Sequence, residues 1–371
     1  MQQPAIQQPV LPHERHSSSR RRFLQAAGAL ALALGHPGSP RAATDLPRVP
    51  IADAHSHFGL LAADFPAPPL VSQMAAAGLM LLSWNIVGDG RWTTRNRTGI
   101  AQRATPGRGE QSRYVAQRLD AMRRYLASTG LAHVQKATDI DAARAGTPHV
   151  VIAVEGAGFT EDGLDNLERF HAQGLRHLQL VHYIRNGLGD FQTESPDHDG
   201  LTALGAEVIR ACNRLGVLVD LAHATNPVID RALEVSATPL IWSHSALTGT
   251  SYDWRRSSAL SRKLHLDYAR KIARRGGAVG LWALRSSVQD SPAGYADELL
   301  RMVDAIGAEH VMFGTDIDGL GTLGVMSRPA DLRAVADLLQ ARGVDEKTLR
   351  ALCFENYARC LRAAIEAGRG A

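Results

Sequence analysis

Cysteine is scarce in this chain of 371 residues: Cys212, Cys353 and Cys360 are the only three, and none forms a C-x-x-C pair. That excludes a disulfide framework and leaves the redox compartment open. Lysine is nearly as rare, with four (Lys136, Lys263, Lys271, Lys347) among the 41 basic residues, a habit of composition without functional content. Net charge is missing from most of the chain. The formal charge is +4, yet residues 1–43 hold five of the basic residues (Arg15, Arg20, Arg21, Arg22, Arg41) and one of the 37 acidic ones, Glu14. Beyond Ala43 the balance is even, so no basic surface argues for nucleic acid. No apolar run approaches the roughly 20 residues that a bilayer crossing needs, which excludes an integral membrane span. There is no repeat of 20 to 50 residues, no low-complexity tract and no interdomain linker. What is present, 45% hydrophobic residues with 34 Gly and 17 Pro, rules out a disordered or collagen-like chain. The length admits two ordinary domains or one large α/β barrel.

The basic excess near the start has a pattern. Arg20, Arg21 and Arg22 precede Phe23 and Leu24, a weakly apolar run follows at 26–35, and small residues continue to Ala43. This is the layout of a signal peptide, too short in its apolar part to span a bilayer. It resembles twin-arginine export signals, with Arg20 and Arg21 as the pair. Arg41 occupies a position where a small residue is preferred if cleavage follows Ala43. The expectation is a leader at 1–43, a single domain at 44–371, and a periplasmic protein exported folded, with its metal already inserted in the cytoplasm.

From residue 49 onward, eight short runs rich in Val, Ile and Leu alternate with segments of helical spacing. The runs fall at 49–55, 79–85, 149–156, 175–182, 217–223, 239–244, 278–283 and 310–316, each apolar through its body as a strand buried on both faces should be. Helical spacing marks 111–129, 164–172, 201–215, 227–235, 267–275, 294–306 and 329–342. The repeated alternation predicts an α/β fold of the (β/α)₈ TIM barrel type, with a doubly wound open sheet as the alternative. A last helix over 346–367 aligns Leu349, Leu352, Cys353, Cys360, Leu361 and Ile365 on one face and should pack against the barrel. Residues 86–110, rich in Gly, Arg and Thr, read as a long loop over the catalytic face.

The runs end in unusual residues: His55 and His57, Glu155, His182, His223, His244 and Asp316. In a barrel these ends share one rim, where metal-capable side chains form an active site. A single histidine at a strand end is ordinarily a hydrogen-bonded loop residue, and His133, His149, His171, His177, His198, His265 and His310 read that way. Five histidines and two carboxylates on strand termini predict a metal site. Imidazole and carboxylate suit Zn²⁺, and one carboxylate can bridge two ions roughly 3.5 Å apart. Glu155 is the natural bridge, with His55 and His57, two apart on one strand, gripping one ion and His223 with His244 holding the other. A metal-bridging hydroxide would attack an amide, and Asp316 would carry the proton to the leaving amine.

These residues resemble the renal, or membrane, dipeptidase family of zinc peptidases across nearly the whole chain after the leader. The resemblance is ordered: Asp53-Ala54-His55-Ser56-His57, Val154-Glu155-Gly156, Leu178-Gln179-Leu180-Val181-His182, Val219-Asp220-Leu221-Ala222-His223, Ile241-Trp242-Ser243-His244-Ser245 and Gly314-Thr315-Asp316-Ile317-Asp318-Gly319. Near the end, Glu355-Asn356-Tyr357-Ala358-Arg359 is similar to a further family segment, with Glu355 replacing a glycine. The resemblance implies two Zn²⁺ held by His55, residue 57, Glu155, His223 and His244, and a small dipeptide as substrate. It implies that His182 supports the tetrahedral oxyanion and that an Arg after the sixth strand, Arg256 or else Arg255, clamps the substrate carboxylate. Asp318 would have a supporting place.

The departure is at residue 57, where the family has a carboxylate and this chain has His57. A neutral ligand in place of an anionic one implies a weaker or more electrophilic first metal. Two further readings stay open: a barrel amidohydrolase acting on another amide, lactam or lactone, and a metal-depleted homologue that only binds a ligand. The expected partner is a small dipeptide or amide substrate, without nucleic acid, and a homodimer is compatible with all three readings.

Overall fold

The computed structural model describes residues 48–61, 70–97, 99–250 and 253–368, so the leader read at 1–43 lies outside the described residues. Eight parallel strands make the frame: β1 (Ile51–Ser56), β2 (Leu79–Val87), β3 (His149–Glu155), β4 (Leu175–Gln179), β5 (Leu218–Asp220), β6 (Ile241–Ser245), β7 (Ala278–Leu281) and β8 (Val311–Phe313), adjacent in chain order. Every expected run is there, most of them trimmed where a polar terminal residue leaves the ladder. All residues of β1, β3 and β4 are buried, as strands covered on both faces must be.

The sheet closes on itself, which removes the open-sheet alternative. Ser56 bridges Ile317, the Asp316 amide donates to the His55 carbonyl at 2.9 Å, and the His57 amide donates to the Ile317 carbonyl at 2.9 Å. A carboxylate locks this seam from inside. Asp53 accepts from the Thr315 hydroxyl at 2.5 Å and the Thr315 amide at 2.9 Å. Burial pushes its pKa up to about 7.

The helices between strands carry ordinary start and stop chemistry. Thr202 caps Ala203–Leu215 by accepting from the Gly205 amide, and Gly216, at φ 77°, ends that helix in a conformation a side chain would resist. Ser291 caps Pro292–Ile306 in the same way, with proline in the first turn. Two helices of eight residues, Leu70–Ala77 and Ala137–Arg144, were not expected.

Apolar residues fill two regions. One lies between the strands and the outer helices. The other closes the amino-terminal mouth of the barrel, where Ala52, Leu81, Val151, Leu218, Ile241 and Met312 meet Phe354, Tyr357, Leu361, Ala364 and Ile365. Each fully buried Leu or Ile there contributes roughly 1.5–3 kcal/mol by leaving water. The plug is not the single helix expected over 346–367. Glu346–Arg350 runs into a wide π-type turn at Ala351–Glu355 before Asn356–Ala367 begins. The turn shifts the phase, so Leu349, Leu352 and Cys353 face the outer core while Cys360, Leu361 and Ile365 face the mouth. Asn356 fixes the shift by donating to the carbonyls of Ala308 and Val311, both at 2.7 Å. All three cysteines are buried and free.

The stretch read as a loop over 86–110 is more ordered than expected. After β2 comes a short turn, Gly90–Trp92, and then an antiparallel hairpin of Thr93–Asn96 with Gly99–Gln102. Its two faces are both polar or mixed, so no alternation of apolar residues announced it. Gly99, at φ 140°, makes the tight return, and its amide donates to the Asn96 side chain at 3.0 Å. Among the described residues no helix is long and apolar enough to cross a membrane.

Candidate active site

The carboxyl ends of the strands bring six of the seven chemistry-bearing residues around the seventh. Glu155 ends β3, is 2% exposed, and points its two oxygens in different directions. Oε2 lies 3.2 Å from His57 Nε2, and Oε1 lies 3.3 Å from His182, 3.4 Å from His223, 3.6 Å from His55 and 3.8 Å from His244, in each case at Nε2. His55 and His57 project to the same side because residues two apart on an extended chain do so, and their Nε2 atoms stand 3.2 Å apart. His223 and His244 stand on neighbouring strands, with Nε2 atoms also 3.2 Å apart. Asp316, leaving β8, places Oδ1 3.4 Å from His57 Nε2.

Several neighbours fix the imidazoles. The Asn85 carbonyl can only accept, so His57 Nδ1 donates to it at 2.8 Å, leaving Nε2 as the atom with a lone pair to offer. His55 Nδ1 faces the Asn85 side chain at 3.0 Å and Ser243 Oγ at 3.3 Å, and His244 Nδ1 faces the same hydroxyl at 2.8 Å. His223 Nδ1 is buried with no hydrogen-bond partner among the described residues. His223 and Asp316 both hold positive φ, 69° and 57°, uncommon for residues with side chains and a sign that the surroundings force these positions.

The electrostatics match a ligand set. Burial above all holds His55, His223 and His244 well below the usual imidazole range, so they are neutral. Burial would raise Glu155, but the imidazoles around it, His182 foremost, hold it well below the usual carboxylate range. His57 differs: burial works against its charge, yet hydrogen bonds to Asp316 and Glu155 raise its pKa to about 10. The two carboxylates facing His57 Nε2, Glu155 and Asp316, favour a positive charge at that point.

A metal fits this donor set. Two nitrogens bound at 2.0–2.1 Å to one tetrahedral ion lie about 3.3 Å apart, close to the spacing of both histidine pairs. Buried groups within 4.8 Å of one another form His55, His57 and Asp316 on one side and Glu155, His223 and His244 on the other. A third such group joins His55, Asp220 and His244. Asp220 is already committed, since one oxygen accepts from the amides of Ala222 (2.9 Å) and Ser243 (3.0 Å) and the other faces His177 Nε2 at 3.4 Å. It acts as a pillar under the site. His177, read as an ordinary histidine, belongs to the same buried polar layer with Ser83 and Tyr357.

A cavity of about 450 Å³ opens above these residues, lined by His57, Glu155, His182 and Asp316 at its floor. Three arginines line it, Arg95, Arg118 and Arg262, and the expected Arg256 and Arg255 are not among them. Arg255 has a side chain 72% exposed beside Asp253, and Arg256 is exposed and donates to Thr250 Oγ1 at 3.2 Å. Neither lines the cavity. The segment after β6 continues through a short helix, Ser258–Ser261, before it returns, and the return carries Arg262 inward. Its side chain is 11% exposed, donates to the Tyr183 hydroxyl at 2.7 Å, stacks over Trp282 at 4.7 Å and lies 3.8 Å from Asp316.

Asp89 is the other residue that sequence reasoning missed. It accepts from His182 Nδ1 at 2.6 Å and from the Tyr183 amide at 2.9 Å. Burial would lower the His182 pKa, but Asp89 and then Glu155 outweigh it and raise it, which favours the imidazolium form facing the cavity. Asp318 accepts from the Gly59 amide at 2.7 Å, tying the loop after β8 to the loop after β1.

Comparison with known proteins completes the picture. A family described as membrane dipeptidase, peptidase family M19, matches residues 73–370. The chain is 28% identical to mouse dipeptidase 3 over 229 residues, covering 57% of this chain and 44% of that protein. It is 30% identical to an uncharacterised dipeptidase of Schizosaccharomyces pombe over 227 residues, covering 56% of this chain and 51% of that one. The chain thus matches about half the length of these curated relatives. Among solved structures, a metallopeptidase from Rhodobacter sphaeroides, liganded with a phosphinate mimic of the dipeptide L-Ala-D-Ala, superposes with a TM-score of 0.69 at 24% identity, over 85% of this chain and 99% of the other. The dipeptidase AC, an M19 metallopeptidase, gives 0.69 at 23% identity over 85% and 99%. At these identities the likeness establishes the barrel.

Proposed function

The chain belongs to the membrane dipeptidase family, and from that premise we propose that it is a zinc-dependent dipeptidase. The observation that carries the reading is Glu155 standing between two imidazole pairs of matching 3.2 Å separation, under a cavity that also holds a buried arginine. Glu155 would bridge two ions, with His55 and His57 holding one and His223 and His244 the other. Bound there, two divalent ions would lower the pKa of a shared water toward neutrality and polarise the scissile carbonyl.

The protein's own groups do the rest. Asp316, beside His57, takes the proton from water and delivers it to the leaving amine. His182, aligned and kept protonated by Asp89, donates from Nε2 to the carbonyl oxygen as negative charge builds there. Arg262, braced by Tyr183 and Trp282, grips the carboxylate of the substrate and sets which bond lies over the ions. The Rhodobacter relative's ligand, a mimic of L-Ala-D-Ala, supports small dipeptides, including those with a D-residue at the carboxyl end. The Arg20–Arg21 leader supports export to the periplasm by the twin-arginine route.

His57 favours one second reading. A neutral ligand where the resemblance implies a carboxylate leaves the ion more electrophilic, which suits a lactone or another amide. The test is the zinc stoichiometry of the purified protein together with hydrolysis of L,L and L,D dipeptides and a simple lactone. Two zinc ions with dipeptide cleavage are expected. Lactone cleavage without peptide cleavage would move the assignment to the second reading, and a protein without metal or turnover would remove both.

A further inference from the structure

The hairpin above the cavity is the part of the site that neither metal binding nor the Arg262 clamp explains. Thr93 pairs with Gln102 and Arg95 with Ile100 across its ladder. Residues two apart on a strand, and residues directly opposite across an antiparallel pair, project from the same face. Thr93, Arg95 and Ile100 therefore share one face, and all three line the cavity. The other face carries Thr94 and Ala101.

The hairpin is held in place as a roof. Gln102 Oε1 accepts from the Arg185 amide at 2.9 Å in the loop after β4, and Ser258–Ser261, after β6, lies against Gly99–Gln102. At its root the Arg103 side chain donates to the Arg91 carbonyl at 2.9 Å. Arg95 is thus presented to the cavity by a braced element.

The charges around it single it out. Arg262 is engaged with Tyr183 and Trp282, and Arg118 donates to the Leu60 carbonyl. Of the lining carboxylates, Glu155 and Asp316 face imidazoles and Asp318 accepts from the Gly59 amide. Arg95 has no hydrogen bond or ion pair from its side chain among the described residues. A guanidinium in this position is ready for a carboxylate, which it can take with two parallel hydrogen bonds.

We infer that Arg95 selects substrates with a second carboxylate: dipeptides bearing an Asp or Glu side chain, whose main-chain carboxylate is taken by Arg262. This rests on the dipeptidase reading above and adds the substrate class to it. Cleavage of neutral dipeptides tests that reading, and the acidic-to-neutral ratio tests Arg95, so the two fail separately.

The experiment measures kcat/KM for L-Ala-L-Ala, L-Ala-L-Glu, L-Glu-L-Ala and L-Ala-L-Lys with the zinc-loaded enzyme and its Arg95→Gln, Arg95→Lys and Arg95→Glu variants. At least one acidic dipeptide should be preferred over the neutral one by about tenfold, mostly through KM. The ratio should fall to about one in Arg95→Gln, survive in part in Arg95→Lys and turn toward the lysine peptide in Arg95→Glu. A wild-type ratio near one, or a ratio that survives Arg95→Gln, overturns the assignment. Should no dipeptide be cleaved, calorimetric titration of the same peptides decides: about tenfold tighter binding of an acidic peptide, lost in Arg95→Gln, supports Arg95, and equal binding overturns it.

Discussion

At their amino ends the strands present Ala52, Leu81, Val151, Leu218, Ile241 and Met312 to the helix Asn356–Ala367; at their carboxyl ends the same strands lead into His55, Glu155, His182, His223, His244 and Asp316. The first mouth gains stability from simple removal of apolar surface, with the free Cys360 buried there as a small hydrophobe. The second buries ionisable groups that resist burial, pushes three imidazoles to neutrality, and holds His223 and Asp316 at positive φ. The comparison teaches that stability and chemistry are placed about a strand's length apart, so each can be perturbed with limited effect on the other.

The strongest way to break that separation is at Glu155. On the two-ion reading, Glu155→Gln should reduce dipeptide hydrolysis by roughly a thousandfold or more and lower the metal content. Asp316→Asn should cost about 10²–10⁴ in kcat while elemental analysis still finds the metal. Equal metal loss in the two variants would make Asp316 a ligand instead of a proton carrier.

The opposite mouth gives the second test. Leu361→Ala should cost about 2–5 kcal/mol in denaturant unfolding through the cavity it leaves. Its kcat/KM on the folded protein should match wild type, and a fall in activity of similar size to the fall in stability would show that the two ends are coupled.

The smallest effect sharpens the rim itself. His57, raised to about 10, is protonated in the metal-free protein at neutral pH, and an ion must displace that proton. Since the proton competes more strongly as pH falls, zinc affinity should rise about tenfold per pH unit up to about pH 10. His57→Asp should flatten that slope. Titration calorimetry in buffers of different ionisation enthalpy counts the proton directly, and no proton release near pH 7 would refute the assignment.

The frame was legible because strands buried on both faces must be apolar through their bodies, and six of the eight runs led into a histidine or carboxylate at the carboxyl end. The same logic put His55, His57, Glu155, His182, His223, His244 and Asp316 on one rim. Arg262 was not legible: it follows β6 through an irregular segment with a short helix inside it, where spacing along the chain says little about position in space. Asp89 was hidden for a similar reason, being a lone acid in a turn whose partner is 93 residues away. The hairpin at 93–102 has no apolar side to reveal a period of two, and the wide turn at Ala351–Glu355 shifts a helical phase that any regular reading carries straight through.

The seam between β1 and β8 has a consequence for how the molecule comes into being. His57 and Asp316, 3.4 Å apart, are separated by most of the chain, and so are Asp53 and Thr315 beside them. No partial product of translation that stops before Asp316 holds both sides of the seam. The first histidines synthesised must wait, without their partners, until the final strand has left the ribosome and docked, a long-range closure of the kind that makes folding slow. An ion seated across that junction would then act as a clasp between the first and the last strand of the barrel, recording that the ring of strands has closed.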